Sequence, residues 1–201
     1  VIRLILADDQ ALVRGALAAL LSLEPDFDVV GQAGSAEELL ALVDASQPDV
    51  ALVDVEMPGM DGIAATAVLK KRHPRVRVVI VTTFGRPGYL RRALQSGAEG
   101  FVVKDTPAAE LADTVRRVHA GLRVVDPVLA ADSLAAGESP LTPREAEVLK
   151  AARDGAAVAT IASRVFLSVG TVRNHLSAAI GKTGAQNRAE AIRIADENGW
   201  L

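Results

Sequence analysis

Asp8, Asp9, Asp54, Thr82 and Lys104 are the residues whose types and spacing point to chemistry. Each ends or directly follows a short apolar run: residues 2–7 before Asp8 and Asp9, 50–53 before Asp54, 76–82 ending in Thr82, and 100–103 before Lys104. Three carboxylates brought together repel one another unless a cation joins them. All-oxygen ligands, with neither His nor Cys among them, favour Mg²⁺. An Asp carboxylate can attack phosphorus and form an acyl phosphate. A metal ion and a Lys can neutralise the transferring phosphoryl group, which is most of what such a transfer requires. A Thr hydroxyl can donate to a further phosphoryl oxygen. Taken singly, each residue has an ordinary role: Asp9 as a turn former or helix cap, Thr82 as a strand residue, Lys104 as a solvated loop lysine. The set is less ordinary, because all five fall at the same ends of their runs.

The elements that must position them follow from the same pattern. Apolar runs at 2–7, 28–33, 50–53, 76–82 and 100–103 predict five strands. Helical patterns at 11–22, 36–46, 62–72, 87–96 and 107–120 lie between and after them. Strands alternating with helices argue for a parallel sheet covered on both faces. The unbroken apolar runs agree, since a sheet buried on both sides shows no polar alternation. Right-handed crossovers favour the flavodoxin-like order 2-1-3-4-5, with ligands bound beyond the carboxyl ends of the strands. That is the edge carrying all five residues.

Composition sets the outer bounds. The 201 residues suit two domains, and half of them are hydrophobic, so each can hold a core built from Ala, Val, Leu and Ile, because aromatics are 3%. The absence of Cys excludes disulfides and thiolate metal sites and fits a cytoplasmic setting. No apolar run reaches the roughly 18 residues of a membrane span, so no membrane insertion is expected. The chain opens on Val1 rather than Met, so initiating residues are expected to be missing. The net charge of −3 does not mark a nucleic-acid binder, yet residues 155–189 contain no acid and hold Arg164, Arg173, Lys182 and Arg188. A phosphate-facing surface needs such a stretch.

Residues 1–120 resemble the receiver domain of a two-component response regulator. The resemblance rests on Asp8-Asp9, on Leu52-Val53-Asp54-Val55-Glu56-Met57-Pro58-Gly59-Met60-Asp61-Gly62, on Thr82, and on Gly97-Ala98 followed by Lys104. It implies that Asp54 accepts the phosphoryl group. It also implies that Asp9, Asp54 and the Glu56 backbone carbonyl hold Mg²⁺, with Asp8 acting through water. Thr82 and Lys104 would bind the phosphoryl group, and Phe101 would be the switch aromatic. Such domains carry a cis peptide after the lysine. Here Asp105 stands where many have Pro, and a cis bond without Pro costs about 2.5–4 kcal/mol.

Gly121 ends the alternating pattern. Residues 122–139, with Pro127, Gly137 and Ser139, read as a partly helical linker between a receiver over 1–121 and a second domain over 140–201. That domain opens with Thr142 as N-cap, Pro143 at the first helical position and Glu145 completing a capping box. Helices are expected at 143–153, 159–165, 169–182 and 189–198. The middle pair, joined by Phe166-Leu167-Ser168, reads as a helix-turn-helix. Leu141-Thr142-Pro143-Arg144-Glu145-Ala146-Glu147-Val148-Leu149 and Leu167-Ser168-Val169-Gly170-Thr171-Val172-Arg173-Asn174-His175-Leu176 resemble the LuxR-type domain of the NarL/FixJ regulators. By that likeness Arg173 and Asn174 enter the groove of double-stranded promoter DNA, with Ser177 on the same face, and Thr171, Lys182 and Arg188 touch phosphates. The resemblance implies a sensor histidine kinase, a homodimer on activation and RNA polymerase as partners. The last helix, with Ala191, Ile192 and Ala195 on one face, is a candidate dimer surface.

Two other readings compete. A phosphatase of the haloacid-dehalogenase type also uses an Asp nucleophile and Mg²⁺, but needs a second Asp two residues on, where Glu56 stands. A regulator that ignores phosphorylation could use the receiver as a dimerisation module alone; the complete acidic set argues against it.

Overall fold

The computed structural model describes residues 1–83, 85, 87–135, 137 and 139–201; Ala136 and Glu138, in the interval read as a linker, lie outside the described residues. The chain divides into two compact units, Val1–Gly85 with Tyr89–Ala130 in one and residues 87–88 with Ala131–Leu201 in the other.

The first unit alternates β1 (Ile2–Ala7), α1 (Ala11–Leu21), β2 (Phe27–Ala33), α2 (Ala36–Ser46), β3 (Val50–Val53), α3 (Gly62–Arg72), β4 (Arg77–Thr82), α4 (Pro87–Gln95), β5 (Gly100–Val103) and α5 (Ala108–His119). Successive strand side chains point to opposite faces, so each apolar run feeds two cores. Ile5, Ala7, Ala51, Val53, Val78, Ile80 and Phe101 pack on α2, α3 and α4. Leu4, Leu6, Val50, Leu52, Val79 and Val81 pack on α1 and α5. This division explains why the strands read as continuous apolar runs.

Five strands were expected, and the sheet has six: all pairs are parallel, in the order β2-β1-β3-β4-β5-β6. The additional strand β6 (Val124–Val125) falls in the interval read as linker. It pairs Gly100 with Val124 and Phe101 with Val125. Two residues carry no periodicity, so the pairing is visible only once β5 offers its edge. Helix α6 (Pro127–Ala135) follows, with Asp126 Oδ1 accepting from the backbone N–H of Val128 at 2.8 Å and of Leu129 at 3.1 Å. Leu129 and Ala130 pack against the core cluster that contains Phe101.

The second unit contains α7 (Pro143–Ala151), α8 (Val158–Arg164), α9 (Val169–Thr183) and α10 (Arg188–Glu197). The expected capping box is formed: the Thr142 hydroxyl accepts from Glu145 N–H, and the Glu145 carboxylate accepts from Thr142 N–H. Ser168 caps α9 by accepting from Thr171 N–H at 3.1 Å. Ile161, Ala162, Val165, Val172 and Leu176 are buried together, as their spacing required. Ala191 and Ala195 are fully buried in that core, with Ile192 packed against it. The α10 face considered as a dimer surface therefore closes the domain core. Among the described residues no helix is long and apolar enough to cross a membrane.

Candidate functional site

Parallel strands that end level deliver their next residues to one place. Asp8 follows β1, Asp54 follows β3, Thr82 ends β4 and Lys104 follows β5. The backbone holds this edge together: Asp8 N–H donates to Ala33 at 3.0 Å, Asp54 N–H to Ala7 at 2.8 Å and Lys104 N–H to Thr82 at 2.8 Å. Asp8, Asp54 and Thr82 are buried and Asp9 is exposed. Carboxylate oxygens of Asp8, Asp9 and Asp54 lie within 4.8 Å of one another. The Lys104 ammonium bridges two of them, 2.7 Å from Asp8 Oδ2 and 2.9 Å from Asp54 Oδ2. Asp8 Oδ1 accepts from Gln10 N–H at 2.8 Å. Asp54 Oδ1 is buried without a hydrogen-bond partner.

These positions set the electrostatics. Burial pushes the Asp54 carboxyl above its ordinary value; Lys104 opposes the rise and the Asp8 charge adds to it. Burial works against the Lys104 ammonium, but the hydrogen bonds and charges of Asp8 and Asp54 outweigh it and raise its pKa. One lysine facing three carboxylates leaves excess negative charge, and Asp54 Oδ1 remains free to bond. An all-oxygen donor set with these properties fits a hard divalent cation.

Phe101 is buried on β5, in the core that the sheet shares with α2, α3 and α4. The Lys104–Asp105 peptide is trans, unlike the cis bond implied by the resemblance, so the cost of a cis bond without Pro does not arise. Glu56 is exposed in the segment after Asp54. That segment turns back through Gly59, whose φ is 75°, to Asp61, which caps α3 by accepting from Ala64 N–H at 2.7 Å. One participant was not legible in the motif. Arg14 donates from Nη1 to the backbone carbonyl of Asp8. The available signal was its place in the opening of α1, where a helical side chain leans back toward the preceding strand end.

On the second unit, Arg173, Asn174 and Ser177 are exposed on α9, while Thr171 is half-buried with its hydroxyl bonded to Ser168 Oγ at 2.7 Å. Lys182 and Arg188 have partners inside the domain. Lys182 pairs with the buried Glu145 at 2.8 Å. Arg188 donates to the carbonyls of Ala156 at 2.7 Å and Gly155 at 3.1 Å. Burial would raise the Glu145 carboxyl, but Lys182 and Thr142 N–H hold it below its ordinary 4.5. A depressed carboxyl contributes stability above that ordinary value and loses it as pH falls through the folded one. Glu145→Ala is therefore expected to cost about 1–2 kcal/mol, a lost cap plus a partly screened ion pair. Melts of the variant and the parent should converge as pH falls below 4.5; a gap independent of pH would show that the ion pair contributes nothing.

A family model described as the response regulator receiver domain matches residues 4–116, and one described as bacterial regulatory proteins, luxR family, matches residues 139–195. The chain is 41% identical over 200 residues to the transcriptional regulatory protein DesR of Bacillus subtilis, covering 100% of this chain and 99% of that one. It is 38% identical over 205 residues to the DNA-binding transcriptional activator DevR/DosR of Mycobacterium tuberculosis, covering 98% and 94%. Among solved structures, the response regulator ChrA of a heme-sensing two-component system matches with a TM-score of 0.60 at 30% identity, covering 100% of this chain and 98% of that one. The receiver fold around the acidic edge, the helix-turn-helix later in the sequence and these matches over nearly the whole chain agree. The chain belongs to the two-component response regulators that join a receiver domain to a LuxR-type DNA-binding domain and control transcription.

Proposed function

We propose that Asp54 is the phosphoacceptor and that its phosphorylation controls promoter binding. The supporting observation is the buried Asp8–Lys104–Asp54 bridge with Asp9 in the same cluster. Asp9, Asp54 and the Glu56 carbonyl would hold Mg²⁺, with Asp8 helping through water; the ion would supply neutralisation of charge on the phosphoryl group. An Asp54 carboxylate oxygen attacks phosphorus on the phosphohistidine of a sensor kinase or on a small phosphodonor. The bond from phosphorus to the donor breaks, and an acyl phosphate forms. Lys104 and the Thr82 hydroxyl bind the transferred group, so the receiver assists its own phosphorylation and its hydrolysis by water. Phosphorylation shifts the population only through contacts that differ between the two states; Thr82 and Phe101 supply those contacts here. The active state is a homodimer, which raises DNA affinity by linking two half-site contacts. Such a regulator works in the cytoplasm, on promoter DNA, with RNA polymerase as a further partner.

The test is incubation with Mg²⁺ and a small acyl phosphate, followed by intact mass, oligomeric state and DNA affinity. Absence of an adduct would sink the phosphorylation reading. An adduct with unchanged oligomeric state and DNA affinity would leave the phosphorylation and defeat the switch.

On DNA, Arg173 and Asn174 read base edges beside Ser177, while Thr171 and the remaining donors of Lys182 and Arg188 meet phosphates. Arg173→Ala is expected to lose about 1–3 kcal/mol of discrimination at one position. Lys182→Ala should weaken all sequences alike and also lower the domain's melting temperature, because Glu145 loses its partner. Affinities measured on the cognate site and on a scrambled duplex check both; equal, sequence-blind losses would contradict the assignment of α9 as the reading helix.

A further inference from the structure

We infer that Arg14 is a positioning residue of the phosphorylation site, fixing the direction of Asp9 through the peptide that joins it to Asp8; this rests on the Mg²⁺ reading above. Arg14 lies in the opening of α1, where its backbone N–H donates to Gln10 at 2.9 Å. Its side chain leans back along the helix, and Nη1 donates to the Asp8 carbonyl. That carbonyl is half of the planar Asp8–Asp9 peptide. Holding its oxygen holds the plane, and the plane sets where the Asp9 side chain leaves the backbone.

The two carboxylates depend on this differently. Asp8 is gripped at Oδ1 by Gln10 N–H, at Oδ2 by Lys104 and at its own N–H by the Ala33 carbonyl. Among the described residues, no hydrogen bond or ion pair holds the exposed Asp9 carboxylate. Its aim comes from the backbone that carries it. Arg14 also lines a small cavity together with Asp8 and Asp54, beside Leu6, Leu52 and Val81, and its Nε is buried without a partner. Helix stabilisation does not account for it, because a cation near a helix N-terminus opposes the macrodipole. Lys is a poor substitute, since a flexible ammonium lacks the rigid planar fork. Groups that orient metal ligands without touching the metal typically change affinity by roughly 10–100-fold when lost.

Mg²⁺ affinity of the full chain, measured by titration calorimetry without phosphodonor and beside thermal melts, tests this. Wild type should bind Mg²⁺. Arg14→Ala should bind it roughly 10–100-fold more weakly, and Arg14→Lys should not restore the affinity. If Arg14→Ala does not fold, Arg14→Gln carries the same comparison. A lower melting temperature with unchanged Mg²⁺ affinity would reduce Arg14 to a packing residue. Tighter binding in the Ala variant would show that its charge, not its hold on the peptide, governs the cation. Failure of the wild type to bind Mg²⁺ would overturn the cation site itself, separately from the role of Arg14.

Discussion

Asp54→Asn is expected to abolish the phosphoryl adduct completely and, in Mg²⁺-free buffer, to raise the melting temperature of the receiver. The first effect follows from chemistry: a carboxamide has no anionic oxygen to form the acyl phosphate. The second follows from burial, which raises Asp54 above its ordinary 3.8. The sign is then fixed. A raised pKa means that the folded chain takes up the proton at higher pH than the unfolded chain. The stability tied to that proton is fully present below 3.8 and lost as pH rises through the folded value. At neutral pH the ionised Asp54 therefore works against the fold, and Asn removes the charge while keeping the shape. Lys104 keeps Asp8 as a partner at 2.7 Å, so the variant does not strand its ammonium. Intact mass after treatment with an acyl phosphate, and thermal melts from neutral pH downward, check both parts. An adduct at wild-type stoichiometry would place the acceptor elsewhere. A lower melting temperature would show that the Lys104–Asp54 bridge outweighs the cost of burial. The advantage of Asn should shrink as pH falls through the Asp54 titration.

Gly62→Ala should disable the same site without touching a reacting atom. Gly62 opens α3, and a Cβ there would stand 1.8 Å from the Asp54 carbonyl oxygen and 2.8 Å from its carbon. Both are backbone atoms, so no rotamer change relieves the contact. Val53 Cγ1, at 2.9 Å, closes another direction. Either α3 retreats, breaking the Gly62 N–H bond to the Val55 carbonyl, or the Asp54 backbone moves. Overpacking of this kind costs about 1–3 kcal/mol, occasionally more. A shift of about 1 Å at a reacting group lowers rates by roughly 10²-fold. The melting temperature and the rate of adduct formation should fall together. A variant that melts and phosphorylates like the wild type would show that the close approach is not required.

Much of the receiver was legible because its physics is local. Runs of Val, Ile and Leu that supply both faces of a sheet leave an unbroken apolar signature, and the boundaries of α2, β3, α3 and β5 agree with those read from the sequence. Strand β6 was not legible, because two valines become a strand only by lying along the edge of β5. The LuxR-type likeness implies Lys182 and Arg188 as phosphate contacts, and the acid-free stretch around them does not reveal that each also has a partner inside the domain. Their partners, Glu145 and the 155–156 carbonyls, lie more than thirty residues away in sequence. The Ala191 and Ala195 face fits a dimer surface or a core equally well by spacing alone; zero exposure decides for the core.

The sequence by itself determined which residues could carry the chemistry. Asp8, Asp9, Asp54, Thr82 and Lys104 stand at strand ends, and parallel strands bring their ends together whatever the helices between them contain. Thr142 and Glu145 likewise fixed a helix start, since a capping box closes within four residues. Tertiary structure decided what those residues meet. It gave Lys104 two carboxylates rather than one, left Asp54 Oδ1 without a partner, brought Arg14 onto the Asp8 carbonyl and set Gly62 against the backbone of Asp54. The reason is distance along the chain: periodicity and caps report forces acting over one or two turns, whereas these contacts exist only after the sheet has drawn separate segments together.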